Sequence, residues 1–83
     1  MVSICDVTTW DTGCDLEHQS KKVMEEAAEV WWSVARLEGR ERTIDECCDV
    51  VQATCNLLAL LGVDDLSPHM AACLERQRER GRL

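Results

Sequence analysis

The sequence predicts an all-α protein, a helical hairpin followed by a short third helix. Apolar residues recur every three or four positions through two long segments, which is the period of an amphipathic helix. A glycine, which favours the end of a helix, follows each segment. At 83 residues the chain makes one small domain of marginal stability, so we expect a multi-helix bundle formed with a partner chain.

The first 14 residues show no clear period, and we expect residues 1–14 to form an irregular arm before a single helical domain at residues 15–83. Trp10 is the one large aromatic group of this arm. Its indole either packs on the helices or on a partner subunit, or stacks on a bound base. The first residues lack the basic flank and long apolar core of a signal peptide, so we expect a cytoplasmic protein.

The first helix is expected to begin near Asp15, a good N-cap residue, and to run to about Glu38, with Gly39 as its stop. Two adjoining apolar stripes cover about half of its circumference, which is more than one partner helix needs. The stripes consist of Val23, Ala27, Val30, Val34 and Leu37, and of Met24, Ala28, Trp31 and Ala35. We expect one stripe to pack within the hairpin and the other to pack on a partner chain.

The second helix is expected to run from Thr43 to Leu61, after a polar loop at residues 39–42 and before Gly62. Thr43-x-x-Glu46 fits a capping box, in which the glutamate serves the helix end and binds no ligand. This helix also carries two apolar stripes, so it too has more apolar surface than a hairpin needs.

A polar face on the second helix holds Glu46, Asp49, Ala53 and Asn56. A lone asparagine on a mostly apolar helix is costly without a partner. Asn56 therefore either forms a hydrogen bond between helices or contacts a ligand.

Ser67-Pro68 predicts the start of the third helix, with serine at the N-cap and proline at the first helical position. The helix ends in a tail of alternating charge that is rich in arginine. Arginines such as Arg76 and Arg80 either pair with nearby acids on a solvated helix end or close over an acidic site as a phosphate clamp.

The six cysteines form no C-x-x-C pair, so the usual zinc signature is absent. Cys47, Cys48 and Cys55 lie among apolar residues of the second helix. A reduced cysteine there behaves as a small hydrophobic residue, so we expect buried or incidental thiols.

The net charge of −7 argues against binding to a nucleic-acid polymer or a membrane surface, which both favour basic patches. No run is long and apolar enough to span a membrane. Much of the acidic charge lies in two short segments, residues 25–29 (EEAAE) and residues 46–49 (ECCD).

The two acidic segments predict a metal site. Residues three or four apart share a helix face, so Glu26 projects with Glu29 and Glu46 projects with Asp49. In an antiparallel hairpin these carboxylates converge, and close like charges need a cation or protons. Hard oxygen ligands suit magnesium, with manganese as a second possibility. The alternative is a non-catalytic helical interaction module whose acids are a solvated face.

The arrangement of the acids also resembles a known family. Lys22 opens a K-x-x-E-E-x-x-E pattern, a gap of 16 residues follows, and E-x-x-D then ends at Asp49. Asn56 stands seven residues after Asp49, and a segment LLGVD at residues 60–64 precedes the third helix. Over about residues 18–82 these features resemble the MazG-like all-α nucleotide pyrophosphohydrolases.

The resemblance implies a magnesium-dependent enzyme that cleaves a nucleoside triphosphate between its α and β phosphates, and that works as a homodimer or a dimer of dimers. The residues that match the metal ligands of the family are Glu26, Glu29, Glu46 and Asp49. The residues that would contact phosphates are Lys22, Asn56, Arg76 and Arg80. Glu25 matches an accessory acid that ligates the metal or orients water. The candidates to stack on the base are Trp10, Trp31 and Trp32, and Trp32 is favoured because it flanks the acids while Trp31 lies on the apolar side. The related phosphoribosyl-ATP pyrophosphohydrolases share the acidic pattern, and their substrate is the alternative.

Overall fold

The structure is a computed structural model that describes residues 7–83. Those residues form three α-helices and no strand, and the helices are α1 (Leu16–Ala35), α2 (Arg40–Leu60) and α3 (Ser67–Glu79). In this part of the chain, close backbone contacts between helices are confined to α1 and α2, which form the expected hairpin. The predicted all-α class is therefore confirmed, while assembly with a partner chain stays a prediction.

Helix α1 begins as predicted, with Asp15 as its N-cap. The carboxylate Oδ1 accepts a hydrogen bond from the backbone N–H of His18 at 2.8 Å and lies 2.7 Å from Nδ1 of the same residue. The bond from the backbone, followed by the bond from the imidazole, lowers the pKa of Asp15 below its usual value. The cap therefore favours an ionised carboxylate at the positive end of the helix dipole.

The end of α1 differs from the prediction, because the helix stops at Ala35 and not near Glu38. Leu37 has φ of 54°, and the backbone N–H of Glu38 donates to the carbonyl of Ser33 at 3.0 Å. This is a Schellman motif, in which glycine usually takes the left-handed position. Gly39, predicted to stop α1, is instead the N-cap of α2 with φ of 101°.

Helix α2 accordingly begins at Arg40, so the polar loop predicted at residues 39–42 is wrong. Thr43 lies in the first turn, where its hydroxyl donates to the carbonyl of Gly39 at 2.9 Å. A residue inside the helix cannot act as its N-cap, so the capping box is also wrong. Glu46 is left with a role other than capping.

The remaining helix boundaries agree with the predictions within one residue. Helix α2 ends at Leu60, and Gly62 follows with φ of 79°, as its sequence position suggested. Ser67 is the first residue of α3, and Leu66 is the N-cap. The N-cap residue makes no side-chain bond, but the side chain of Asp65 accepts a hydrogen bond from the Ser67 N–H at 3.0 Å and so satisfies one of the free N–H groups at this helix end.

The surface between α1 and α2 is mainly polar, which differs from the apolar packing expected within the hairpin. The buried side chains are Gln19, Ser33, Glu46, Ala53 and Asn56. Polar burial of this kind is tolerated because hydrogen bonds satisfy the groups, and among the described residues no buried side-chain nitrogen or oxygen lacks a partner. Because polar side chains occupy most of the buried positions, the residues of the apolar stripes are at most half-buried in the single chain.

The apolar stripe that begins at Val23 is divided by this packing. Val23 and Val30 are half-buried, whereas Val34 is 59% exposed and Leu37 is 89% exposed. Met24 and other large apolar residues of the second stripe are exposed as well. The hairpin contacts of one chain therefore cover only part of the first stripe and leave the second stripe exposed.

The cysteines also differ in part from expectation. Cys47 and Cys48 are exposed on α2, whereas Cys55 is half-buried. None of the cysteines from Cys14 onward forms a disulfide. Cys5 and the rest of residues 1–6 of the expected arm lie outside the described residues. Among residues 7–83 no helix has the length and hydropathy needed to cross a membrane.

Candidate active site

An acidic cluster lies between the two long helices. Glu26 projects from α1, while Glu46 and Asp49 project from the same face of α2. One carboxylate oxygen of each residue lies within 4.8 Å of the others. The antiparallel pairing of α1 and α2 thus brings together three of the four residues that the sequence suggested as metal ligands.

Glu29, the fourth suggested ligand, lies one turn further along α1 and is exposed outside this cluster. The single chain therefore does not bring Glu29 to the other three carboxylates, although its position on α1 is compatible with the predicted face.

Glu26 and Glu46 are the less exposed carboxylates of the cluster, and each pairs with a basic residue four positions earlier on its own helix. Lys22 Nζ lies 2.8 Å from Glu26 Oε1, and Arg42 Nη2 lies 2.8 Å from Glu46 Oε1. The two carboxylates are 16% and 7% exposed, respectively. The hydrogen bond to Glu26, followed by the attraction of Glu26 and of the nearby Glu25 and Asp49, raises the pKa of Lys22 above its usual value.

The donor set of the acidic cluster fits a hard divalent cation. Three carboxylates from two helices offer oxygen ligands alone, which magnesium and manganese prefer over softer donors. The two neighbouring cations offset part of this negative charge, so a divalent ion at the cluster would compete with Lys22 and Arg42 for the same oxygens.

A cavity of about 580 Å³ adjoins the cluster and shares Glu26 and Asp49 with it. The arm forms one side of the cavity and the hairpin forms the other. Its further lining includes Trp10, Thr12, Lys21, Lys22, Glu25, Gln52 and Asn56. The cavity therefore offers an aromatic ring, amide groups and two lysines next to a candidate metal site.

Three hydrogen bonds hold the arm against the hairpin. The backbone N–H of Trp10 donates to Asn56 Oδ1 at 3.3 Å, and Gln52 Nε2 donates to the carbonyl of Thr8 at 2.9 Å. Thr12 Oγ1 donates to Gln19 Oε1 at 2.9 Å. These bonds place the Trp10 indole at the cavity, although the ring itself is more than half exposed.

Asn56 combines structural and site roles. Its Oδ1 accepts the bond from the arm and a second bond from Gln52 Nε2 at 3.1 Å. Asn56 is 4% exposed, so these bonds fix the orientation of its amide beside the cavity. The sequence left open a hydrogen bond between helices or a contact with a ligand, and the structure adds a hydrogen bond to the arm.

Gln19 holds the same region together from α1. Its Nε2 donates to the carbonyl of Ala53 on α2 at 3.0 Å, and the side chain is 2% exposed. Sequence reasoning did not identify Gln19, Gln52, Lys21 or Arg42. Helix periodicity could have identified the two glutamines as residues of this face. Gln19 lies seven positions before Glu26, and Gln52 lies four positions before Asn56.

Three of the suggested substrate-binding residues lie away from the cavity within this chain. The Trp32 ring contacts Trp31, with ring centroids 4.6 Å apart, and the Arg36 guanidinium lies 4.5 Å from the Trp32 ring centroid. Arg76 and Arg80 lie at the far end of α3 and are exposed. Trp10 is instead the aromatic side chain that lines the cavity.

A family model described as phosphoribosyl-ATP pyrophosphohydrolase matches residues 10–77. The match begins at Trp10 in the arm, spans both acidic segments and ends near the close of α3. No curated protein and no solved structure matches the chain significantly.

Proposed function

The chain belongs to the phosphoribosyl-ATP pyrophosphohydrolase family, and we propose that it hydrolyses the bond between the α and β phosphates of a nucleotide, releasing pyrophosphate. This family is part of the MazG-like all-α superfamily that the acidic segments resemble. Membership supports a hydrolase that acts on acid anhydrides. The observation that carries the proposal is the acidic cluster at the edge of a cavity large enough for a nucleoside.

The residues that would hold a magnesium ion are Glu26, Glu46 and Asp49. When bound, such an ion would neutralise charge on the phosphate oxygens and make water easier to deprotonate. The three carboxylates approach each other from two helices that hydrogen bonds hold together, so the ligands are positioned before the ion arrives. Glu29 would join them only after a change of side-chain direction.

The cavity would hold the nucleoside, and the cluster would then receive the phosphates. The Trp10 indole offers a flat apolar surface for a base, while the amide of Gln52 offers hydrogen-bonding groups. Lys22 lines the cavity and pairs with Glu26, so its ammonium group can move from that carboxylate to a phosphate oxygen. The arm forms this side of the cavity, so a bound base would lie between the arm and the hairpin.

Glu25 is the residue that we propose accepts a proton from the attacking water. It lines the cavity directly beside Glu26, which is part of the cluster. A carboxylate in reach of the reacting water can act as a general base without belonging to the inner ligand set. Glu29, one turn along the same helix, matches a metal ligand in the family resemblance, but in this chain it lies outside the cluster, and we propose that it orients the attacking water.

Two substrate classes are compatible with this arrangement. A canonical or modified (d)NTP agrees with the resemblance of the acidic segments and of Asn56 to MazG-like enzymes. Phosphoribosyl-ATP is the second candidate, and the family match is the observation that favours it. Both contain a nucleoside joined to a triphosphate, so both place the same bond at the acidic cluster.

We also propose a homodimer or a dimer of dimers. The exposed apolar side chains of α1, such as Met24, Trp31 and Val34, form a surface that a second copy can bury. Arg76 and Arg80, which lie away from the cavity within one chain, would reach a site only through such an assembly.

The test is pyrophosphate release from a panel of canonical and modified (d)NTPs together with phosphoribosyl-ATP, with magnesium or with EDTA. We expect magnesium-dependent release from one class, and loss of that release in Glu46→Gln. Release that persists in EDTA would contradict the metal site. No release from any compound of the panel by an intact oligomer would contradict the proposed function.

A further inference from the structure

We propose that Arg42 binds the β and γ phosphates of the substrate, and then the leaving pyrophosphate, on the side of the acidic cluster away from the nucleoside cavity. This role rests on the proposed function, and it concerns a residue that the acidic signature does not include. The order of contacts along the hairpin and the ion pair between Arg42 and Glu46 support this role.

The contacts along the hairpin place Arg42 beyond the cluster. At one end, Gln19 of α1 bonds to Ala53 of α2 and both line the cavity. At the other end, Ser33 of α1 bonds to Thr43 of α2, directly beside Arg42. The acidic cluster lies between these two contacts, because its residues come from the middle of both helices.

A nucleotide bound along this direction would bring its phosphates to Arg42 in order. With the base in the cavity and the α phosphate at the cluster, the remaining phosphates extend toward the end of the hairpin that carries Arg42. Lys22 lies on the cavity side of the same cluster. The two basic residues therefore flank the bond that is cleaved, one on each side.

The ion pair of Arg42 is suited to an exchange of partners. Its guanidinium bonds to Glu46, which is 7% exposed, while the arginine side chain itself is 59% exposed. The carboxylate is also one of the three cluster ligands, so a divalent cation at the cluster competes with Arg42 for it. Once displaced, the guanidinium presents several N–H donors to a phosphate, which it can bind with two parallel bonds.

Arg40 provides a matched control on the same helix turn. It pairs with Glu41, and both side chains are at least 80% exposed, away from the acidic cluster. Replacement of Arg40 or of Arg42 by methionine removes the same charge from neighbouring positions. A general effect of net charge would therefore appear equally in the two variants.

The experiment measures magnesium binding, and then binding of inorganic pyrophosphate to the magnesium-loaded protein, by isothermal titration calorimetry. For Arg42→Met we expect pyrophosphate affinity to fall about tenfold or more, the loss of a charge-assisted bond. Magnesium affinity should rise, because a competitor for Glu46 is gone. Arg40→Met should leave both affinities close to wild type. Arg42→Lys, which keeps the charge and loses the two-bond geometry, should show a smaller loss of pyrophosphate affinity.

Weaker binding of pyrophosphate together with stronger binding of magnesium would exclude a merely structural role, since damage to the fold would weaken the binding of both ligands. Unchanged pyrophosphate affinity in Arg42→Met, or equal losses in Arg40→Met, would overturn the proposal. If Arg42→Met loses helix content, Arg42→Lys decides alone, and wild-type pyrophosphate affinity in it would count against the role. If the wild-type protein releases pyrophosphate from a substrate, such a result would contradict the role of Arg42 but not the proposed function.

Discussion

Ser33 and Thr43 join the two long helices through their hydroxyl groups, with Ser33 Oγ 2.8 Å from Thr43 Oγ1. Ser33 is fully buried. The single hydroxyl hydrogen of Thr43 is directed to the carbonyl of Gly39 at 2.9 Å, so Ser33 is the donor of the pair. This chain of two bonds ties the end of α1 to the first turn of α2 beside the acidic cluster.

Removing either hydroxyl should destabilise the protein, and the two losses should not add. Ser33→Ala should lower the free energy of unfolding by about 1 kcal/mol. Thr43→Val should cost more, because it leaves the buried Ser33 donor without its acceptor. Urea denaturation at one fixed protein concentration measures both effects and the double variant. Additive losses in the double variant would show that the two hydroxyls are not coupled.

A second prediction about stability concerns the turn after α2. Gly62 has φ of 79°, and a β-carbon built there would meet nothing within 4 Å. The cost of Gly62→Ala is therefore backbone strain alone, about 1 kcal/mol. Gly62→Asn should cost less, because asparagine tolerates the left-handed region better. Thermal unfolding compares the two variants, and an asparagine variant as unstable as the alanine variant would rule out strain as the cause.

The N-cap of α1 predicts a pH dependence. The pKa of Asp15 lies below its usual value of 3.8, chiefly through the backbone bond from His18. A carboxylate with a lowered folded-state pKa stabilises the fold above its unfolded pKa, and that contribution is lost as the pH falls through the folded pKa. Wild type should therefore exceed Asp15→Ala in melting temperature near neutral pH.

The difference between these two proteins should narrow as the pH falls below 3.8. Other carboxylates also become protonated in that range, but their effect is common to both proteins and cancels in the comparison. A difference that stays constant down to the acid limit would mean that the charge of Asp15 contributes nothing to the cap.

Some features of this molecule are predictable because their causes are local. Asp15 caps α1 through a bond to a residue three positions away, and Gly62 takes a φ that few other residues adopt. The approach of Glu26 to Asp49 follows from helix periodicity combined with an antiparallel hairpin. Helix periodicity and the pairing of two consecutive helices do not depend on the details of side-chain packing, so the acidic cluster could be predicted from the sequence.

Other features depend on contacts between distant residues, which leave little local signal. The bond from the Trp10 N–H to Asn56 spans 46 positions and joins a backbone group to a side chain. Leu37 takes a left-handed φ that its residue type disfavours, so Gly39 was the more obvious stop for α1. The polar surface inside the hairpin was missed because the apolar stripes were wide enough to suggest the opposite packing.

Magnesium should stabilise the protein through the acidic cluster. A ligand that binds the folded chain and not the unfolded chain stabilises the fold, so the proposed site predicts that magnesium raises the melting temperature of wild type relative to EDTA. Asp49→Asn should lose most of that increase, and in EDTA it should be at least as stable as wild type, since one of three close negative charges is gone. Asp45→Asn changes an exposed carboxylate outside the cluster and should respond to magnesium as wild type does.

A magnesium response that is equal in wild type and Asp49→Asn would remove Asp49 from the ion's ligands. Glu29→Gln provides a further comparison. The exposed position of Glu29 predicts that this variant keeps the thermal response to magnesium, while its hydrolysis rate falls through the loss of the carboxylate that we propose orients the attacking water. Loss of the magnesium response in Glu29→Gln would place this carboxylate among the ligands.

The exposed apolar surface of α1 predicts that assembly, and not the single hairpin, supplies most of the hydrophobic stabilisation. Ala53 is the one buried hydrophobic residue among residues 7–83, so one chain has almost no apolar core of its own. Val34 is 59% exposed, and an aspartate there is solvated in one chain but unpaired and buried in an interface. Val34→Asp should therefore lower the sedimentation coefficient and make unfolding occur at much lower urea.

Ser20→Asp, which adds the same charge to an exposed polar position of the same helix, should leave both properties near wild type. An unchanged sedimentation coefficient in Val34→Asp would exclude this face from the interface, and a single chain with so few buried apolar groups would then have to be stable by its polar contacts alone.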